Sequence, residues 1–203
     1  MLFYVHGLDA DNVGADLLEL SEAHWSYIDA FADRLVLRGP TLSDDGTAHT
    51  GSLHVLELPD RAAAERFAFE EPYWLAGLYR DVTITRAAPL LERTTSDRTA
   101  LSVARPSSLV LGRWNPVPCV ASVIEQEAAR LAHDDRLVFC SLLVDDVGVY
   151  SLGIVCAMYA APAEALRLLQ PIAETAAGGP AHLIAQRWRR GGRSQDRIDE
   201  ATF

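Results

Sequence analysis

Four histidines near the start of the chain are the residues best suited to acid–base or metal chemistry: His6, His24, His49 and His54. An imidazole titrates near pH 6.5 and is also the commonest metal ligand in proteins. A metal site would need ligands from a helix, a loop and two strands without any characteristic spacing. We therefore predict no metal site, and expect three of the four to be polar residues at sheet edges and pocket rims.

The same part of the chain is rich in aromatic residues, namely Trp25, Tyr27, Tyr73, Trp74 and Tyr79. Flat side chains of this kind suit a flat or polycyclic ligand, although core packing explains most of them equally well. We predict that Tyr27, Tyr73 and Trp74 contact a substrate. Ser52 is the predicted polar contact.

The net negative charge and the absence of lysine exclude several classes of protein. The formal net charge is −10, so the surface repels phosphate backbones and anionic membranes, and we predict neither as a partner. The chain has no lysine, which removes Schiff-base chemistry and the lysine of a phosphate-binding Walker loop. An arginine run near the end is typical of a solvated strand end and tail, or else holds an anion or an acidic surface. It comprises Arg187, Arg189, Arg190, Arg193 and Arg197.

The three cysteines, Cys119, Cys140 and Cys156, form no CxxC pair and are odd in number. This spacing indicates neither a disulfide framework nor a zinc knuckle. Met1 leads directly into an apolar-alternating segment, without the pattern of a signal peptide or a membrane span. We expect a cytoplasmic protein.

Hydrophobic periodicity predicts the order β-α-β-β-α-β in the first half. An apolar stripe with steps of three and four residues predicts a helix over residues 15–32, and places His24 on its packed face. The strands are predicted at 2–6, 34–38, 52–58 and 81–86, and a second helix at 60–69. A Gly-Pro pair at 39–40 is expected to end the second strand.

The same order returns after residue 108. Strands are predicted at 109–112, 136–144, 150–159 and 182–188, and helices at 118–133 and 162–173. Some short segments also recur. Asp-Arg-Leu-Val occurs at 33–36 and 135–138, Leu-Ser-Asp-Asp at 42–45 is echoed by Leu-Val-Asp-Asp at 143–146, and Ser-Leu at 52–53 by Ser-Leu at 151–152. Repetition in the same order predicts a tandem duplication.

The predicted fold class is α+β, with two tandem ferredoxin-like βαββαβ units. One such unit makes a four-stranded antiparallel sheet with both helices on one face, so the bare face needs a partner. We expect the two antiparallel sheets to stack as a pseudo-dimeric α+β barrel within one chain, with further homodimerisation left open. The predicted boundaries are 1–88 for the first domain, 89–107 for a linker, 108–190 for the second domain and 191–203 for a tail.

Four groups of residues occur together in residues 1–88: His24 with Tyr27, Gly39-Pro40 with Asp44, Gly51-Ser52, and Glu71-Pro72-Tyr73 followed by Ala76-Gly77-Leu78. Together these motifs resemble the YciI-like, or YCII-related, family of the dimeric α+β barrel superfamily. The family usually has Asp where this chain has Glu71.

The resemblance implies a catalytic pair of His24 and Asp44, with Asp45 as the substitute if the turn shifts its register. It also implies isomerase or dehydrochlorinase chemistry on small oxygenated rings. A neighbouring carboxylate would hold the tautomer of His24 and stabilise its imidazolium, as a general base requires. The alternative is a helix-face histidine that only hydrogen-bonds a turn.

The resemblance is weak over residues 108–190, because Gln126 takes the place of His24 and Ser141-Leu142 that of Gly39-Pro40. The acidic turn remains as Asp145-Asp146. We therefore expect a degenerate second copy that serves as a structural partner. The predicted function is a cofactor-independent isomerase, cyclase or lyase acting on a small aromatic or lactone-type metabolite. The alternative is a binding or accessory protein that keeps the fold without turnover.

Overall fold

A computed structural model describes residues 1–91 and 106–192. The first half contains β1 Leu2–Asp9, α1 Gly14–Glu19, α2 Ser21–Asp29, β2 Leu35–Leu42, β3 His49–Glu57, α3 Arg61–Phe69, α4 Pro72–Leu75 and β4 Tyr79–Pro89. The second half contains β5 Ser108–Pro118, α5 Ala121–Leu131, β6 Leu137–Val144, β7 Tyr150–Met158, α6 Pro162–Ala177 and β8 Leu183–Trp188.

The eight strands form one closed antiparallel barrel in the order β1-β3-β2-β8-β5-β7-β6-β4. The expected α+β fold with a barrel is therefore confirmed. The halves meet through strand edges: β2 pairs with β8 from Thr41 opposite Trp188, and β4 pairs with β6 from Arg86 opposite Val144. Edge pairing satisfies backbone groups that simple stacking of two open sheets would leave unpaired.

The predicted helix over 15–32 is divided at Leu20, where φ −89° and ψ 2° separate α1 from α2. Each of the two helices then packs into a different hydrophobic cluster. Leu17 of α1 packs with Tyr73 and the start of β4, whereas Ile28 of α2 packs with Phe67 of α3. The break thus allows one apolar stripe to cover two different parts of the sheet.

The expectation that Gly39-Pro40 ends β2 is wrong, because the strand continues to Leu42. Gly39 has φ +151°, and a Cβ there would lie 1.9 Å from the carbonyl oxygen of Arg189. The Arg189 amide donates to the carbonyl of Pro40 at 3.1 Å. Glycine thus lets the chain after β8 lie directly against β2.

The predicted linker and tail extend only partly into the described chain. Strand β4 continues to Pro89, and the Leu90 amide donates to the carbonyl of Cys140. Gly191 donates to the carbonyl of Arg38. Residues 92–105 and 193–203, including Arg193 and Arg197, lie outside the described residues.

Both halves contribute to one cluster inside the barrel, with Tyr4 and Leu53 from the first and Phe139, Val155 and Trp188 from the second. Among the described residues, the helices cover the outer face in three further clusters, two in the first half and one in the second. Within residues 1–91 and 106–192, no helix has both the length and the apolar character needed to cross a membrane.

Candidate functional site

The centre of the site is a buried pair between α2 and the loop before α4. His24 Nδ1 lies 2.5 Å from Glu71 Oε1, and the two residues are 7% and 3% exposed. A carboxylate only accepts, so Nδ1 carries the proton and donates it to Glu71. In the neutral ring Nε2 is then the basic atom, and no protein group in the described chain bonds it.

Local helix chemistry fixes Glu71 in place. It is the N-cap of α4, its Oε2 accepts from the Trp74 amide at 3.1 Å, and Pro72 occupies the first turn. Such capping satisfies an otherwise unpaired backbone donor. One oxygen of Glu71 therefore anchors the helix while the other orients His24.

Tyr73 forms one wall of the site. Its ring stacks on the His24 imidazole with centroids 4.2 Å apart and planes within 1° of parallel. Its hydroxyl donates to the carbonyl of Leu17 at 2.8 Å. Burial, reinforced by the charges of Glu71 and Asp9, raises the pKa of Tyr73 far above its usual range, so the phenol stays neutral.

His54 lies on the other side of His24, with ring centroids 5.7 Å apart. Burial is the main reason that the pKa of His54 is held well below its usual value, and the electrostatic effects of His24, Arg38 and His6 add to this. His54 is therefore neutral near pH 7 and packs its ring against Phe67.

The predicted pairing of His24 with Asp44 is corrected by this geometry. Asp44 is exposed in the turn between β2 and β3, and neither an ion pair nor a hydrogen bond joins it to His24 in the described chain. Its backbone carbonyl accepts from Arg187 at 2.6 Å. Asp45 is also exposed, and its carboxylate accepts from Ser43 and Thr47. These hydrogen bonds lower the pKa of Asp45 to about 2, and the one from Ser43 contributes most.

A second imidazole–carboxylate pair lies near the same end of the sheet. His49 Nδ1 is 2.6 Å from Asp9 Oδ2, and Asp9 is 7% exposed. Asp9 Oδ1 and the Tyr79 hydroxyl are buried without a hydrogen-bond partner among the described residues. Burial raises the pKa of Tyr79 well above its usual value, helped by Glu71 and Asp9. Sequence reasoning did not predict a role for Asp9, although an acidic residue ending a buried strand is a usable signal.

The other residues predicted to contact a substrate are Ser52, Trp74 and Tyr27. Ser52 is buried on β3 beside Tyr79. Trp74 is half-buried and its ring packs against Phe69. The Tyr27 hydroxyl donates to the carbonyl of Phe67 at 3.1 Å, an anchoring contact between α2 and α3.

The four histidines do not converge on a single point. His6 Nδ1 bonds the Tyr4 hydroxyl at 3.0 Å and its Nε2 faces Thr41, while His49 is held by Asp9. Among residues 1–91 and 106–192, no three His, Cys, Asp or Glu residues are grouped as metal ligands. In the second half Gln126 is exposed on α5, and its neighbour Glu127 is the buried residue.

Solved structures similar to this chain include a dehydrochlorinase and two proposed monooxygenases. A 5-chloro-2-hydroxyhydroquinone dehydrochlorinase from Burkholderia phenoliruptrix AC1100, solved with 2,5-dihydroxybenzoquinone, is 24% identical over 42% of this chain and 92% of its own, with a TM-score of 0.40. A proposed monooxygenase from Lactobacillus acidophilus NCFM is 10% identical over 94% of this chain and 96% of its own, with a TM-score of 0.54. A proposed monooxygenase from Fusobacterium nucleatum is 8% identical over 93% of this chain and 91% of its own, with a TM-score of 0.55.

The two monooxygenase likenesses extend over nearly the whole chain and concern the fold alone. No curated protein matches the sequence. The family profile of the YCII-related domain matches residues 1–88, the segment that contains His24 and Glu71. Residues 1–88 are therefore similar to the YCII-related domain, within a chain whose described strands close into one antiparallel barrel.

Proposed function

We propose that the protein is a cofactor-independent isomerase, cyclase or lyase. In this proposal His24 transfers a proton and Glu71 orients the His24 ring. The observation that carries this proposal is the buried 2.5 Å contact between His24 Nδ1 and Glu71 Oε1. It leaves Nε2 as the basic atom, and places a carboxylate where it stabilises the imidazolium formed during the reaction.

The chemistry needs no oxidant or reductant. Nε2 removes a proton from a carbon next to a carbonyl, or from a hydroxyl, and the electron pair of that bond moves into the substrate. Return of the proton to another atom completes an isomerisation or a cyclisation. In an elimination, that electron pair instead forms a new π bond while the leaving group departs with the electron pair of its own bond.

The surroundings of the pair favour a small aromatic or lactone-type substrate. Tyr73, Trp74 and Tyr79 supply flat apolar surface, which suits a planar ring. Asp9 Oδ1 and the Tyr79 hydroxyl are buried polar atoms without protein partners among the described residues, so they are suited to bind substrate hydroxyl or carbonyl groups. Ser52 adds a further hydroxyl beside Tyr79.

Proton exchange tests this mechanism whatever the net reaction is. The protein is incubated in D₂O with a panel of hydroxylated quinols, enol lactones and aromatic ketones, and deuterium incorporation is followed by NMR. We expect wild type to exchange one carbon-bound proton of at least one compound. His24→Ala should lose this activity, because the substitution removes the proposed base.

His182→Ala is the matched control, since His182 is exposed at the start of β8 and far from α2 in sequence. It should exchange at the wild-type rate. Equal exchange by wild type and His24→Ala would contradict the proposal. Binding of a panel compound without exchange would favour the alternative, a binding or accessory protein that keeps the fold.

Related contacts in the two halves support a tandem duplication, with domains 1–88 and 108–190. A Cβ on Gly51 would lie 2.4 Å from the carbonyl oxygen of Gly7, and a Cβ on Gly153 2.3 Å from that of Gly112. Gly51 and Gly153 are 102 residues apart, as are the two Asp-Arg-Leu-Val segments. The Ser-Leu pairs are 99 residues apart, so on this reading they are not equivalent positions.

The contacts between halves are also reciprocal. Arg187 of β8 donates to the carbonyl of Asp44, and Arg86 of β4 donates to the carbonyl of Asp146 at 2.7 Å. Arg61 adds an ion pair to the Asp146 carboxylate. Each acidic turn is thus held by an arginine from the last strand of the other half, as in a symmetric dimer.

A further inference from the structure

The second half contains a cavity of about 220 Å³ that the proposed proton-transfer site does not use. It lies between α5, α6 and the outer face of the sheet, as the His24 site lies between α2, α4 and the outer face in the first half. Most of its wall is apolar, with Leu90, Val117, Leu142 and Ile172 as the larger contributors.

One buried carboxylate interrupts this apolar wall. Glu127 lines the cavity and is 9% exposed, and its Oε2 is buried without a hydrogen-bond partner among the described residues. The nearest cation is Arg130, whose Nη1 is 3.8 Å from Oε2 and whose side chain is 62% exposed. That distance is beyond a hydrogen bond, so Glu127 retains an unsatisfied acceptor.

Two other polar side chains that line the cavity already form hydrogen bonds within the protein. Ser151 Oγ accepts from Trp114 Nε1 at 3.2 Å, and Thr175 Oγ1 donates to the carbonyl of Pro171 at 2.8 Å. A ligand therefore meets one strong acceptor in an otherwise apolar space. A buried carboxylate oxygen without a hydrogen bond is costly and gains most from a charged donor.

We propose that this cavity binds a small aromatic or alicyclic amine, with its ammonium group on Glu127 and its ring against Leu142 and Ile172. The size follows from the volume: an engineered cavity of about 150 Å³ holds benzene, so 220 Å³ suits about nine non-hydrogen atoms. The second half is thus a binding site distinct from the proton-transfer site.

The test is an NMR titration of the full-length protein with 2-phenylethylamine. Propylbenzene serves as the neutral probe of equal size and phenylacetate as the anionic one. We expect the amine to shift the amide signals of Cys119, Ser151 and Gly178, which line the cavity. Propylbenzene should bind more weakly, and phenylacetate should not bind.

Glu127→Gln should weaken binding of the amine about 10- to 100-fold, as loss of a charge-assisted hydrogen bond predicts, and should leave propylbenzene unchanged. Glu125→Gln, an exposed residue of the same helix, is the matched control and should bind normally. Ala176→Phe should fill the cavity and abolish binding of both probes.

His24→Ala should not affect the amine, which separates this proposal from the proton-transfer mechanism. Equal affinity of wild type and Glu127→Gln for the amine would overturn the proposal. So would tighter binding of propylbenzene than of the amine, no binding at all, or signal shifts confined to His24 and Tyr73.

Discussion

The imidazole of His24 lies parallel to the ring of Tyr73, with 4.2 Å between the centroids. The edge of the same imidazole donates to Glu71. Glu71 and Tyr73 both belong to the short segment that forms α4, so one turn of helix sets both the face and the edge of His24. The orientation of Nε2 therefore depends on α4 remaining folded.

Glu71→Gln should reverse the neutral tautomer of His24. A Gln amide has one oxygen, and if it keeps the cap on the Trp74 amide, its NH₂ group faces Nδ1 and donates to it. The ring proton then moves to Nε2, which can no longer accept a proton from a substrate. The ¹⁵N shifts of His24 in wild type and variant report the tautomer directly.

Glu70→Gln is the control for this tautomer, because Glu70 is the exposed neighbour in the chain. It should keep the wild-type ¹⁵N shifts. A Glu71→Gln variant with its proton still on Nδ1 would show that Glu71 does not select the tautomer.

Tyr73→Phe and Tyr73→Leu should separate the hydroxyl from the stacked ring. The first removes the donor to the carbonyl of Leu17 and should reduce the free energy of unfolding by about 1 kcal/mol. The second also removes the stacked ring and should cost roughly 3 kcal/mol. Urea denaturation measures both values. The ring-current shift of the His24 protons should persist only in Tyr73→Phe, and its loss in that variant would contradict the stacking role.

His6 should make the protein less stable in mild acid. Burial, with smaller effects from His49 and Arg113, lowers the pKa of His6 to about 4, and Asp81 opposes the shift. Between about pH 6.5 and pH 4 the unfolded chain binds a proton that folded His6 does not, so the free energy of unfolding falls as the pH falls. The full difference is about 3 kcal/mol.

His6→Gln should remove this part of the pH dependence, measured as urea midpoints at several pH values. A smaller slope of the same sign should remain, because the pKa of His54 is also lowered by burial. His182→Gln should keep the wild-type slope, since His182 is exposed. An unchanged slope in His6→Gln would show that His6 is protonated in the folded protein.

Gly39→Ala should disrupt barrel closure. The new Cβ would lie 1.9 Å from the Arg189 oxygen and 2.7 Å from the Gly191 nitrogen, at φ +151°. We expect a loss of at least about 3 kcal/mol in urea denaturation. Gly14→Ala is the opposite case, since nothing lies within 4 Å of its Cβ at the start of α1, and it should gain up to about 1 kcal/mol. Similar stability of the two variants would contradict the close approach.

Periodicity predicted the order of the strands and of the longer helices, but it missed α4 and gave only the first residues of β5. The residues that join the halves were harder to predict. Gly39 and Pro40 are typical turn residues, yet here they lie within β2 because the chain near Arg189 needs space beside Gly39. Local sequence cannot indicate a contact that depends on a segment about 150 residues further along the chain.

The position of His24 on a buried helix face followed from its apolar stripe, but its partner did not. Asp44 stands in an acidic turn that sequence motifs emphasise, and that turn instead binds Arg187 through its backbone. Glu71 directly precedes a proline, a usual signature of a helix N-cap. The sequence analysis assigned no helix there, and the contact of the second Glu71 oxygen with His24 became visible only once α2 and α4 were packed together.

Pairing of β2 with β8 and of β4 with β6 also affects how the protein is made. When the first half leaves the ribosome, both outer edges of its sheet lack partners until β6 and β8 are synthesised. At roughly 10 residues per second, this interval lasts about 10 s. Unpaired edges invite pairing with other chains, including a neighbouring nascent copy. Synthesis of the second half thus supplies, within the same chain, the strands that cover both edges.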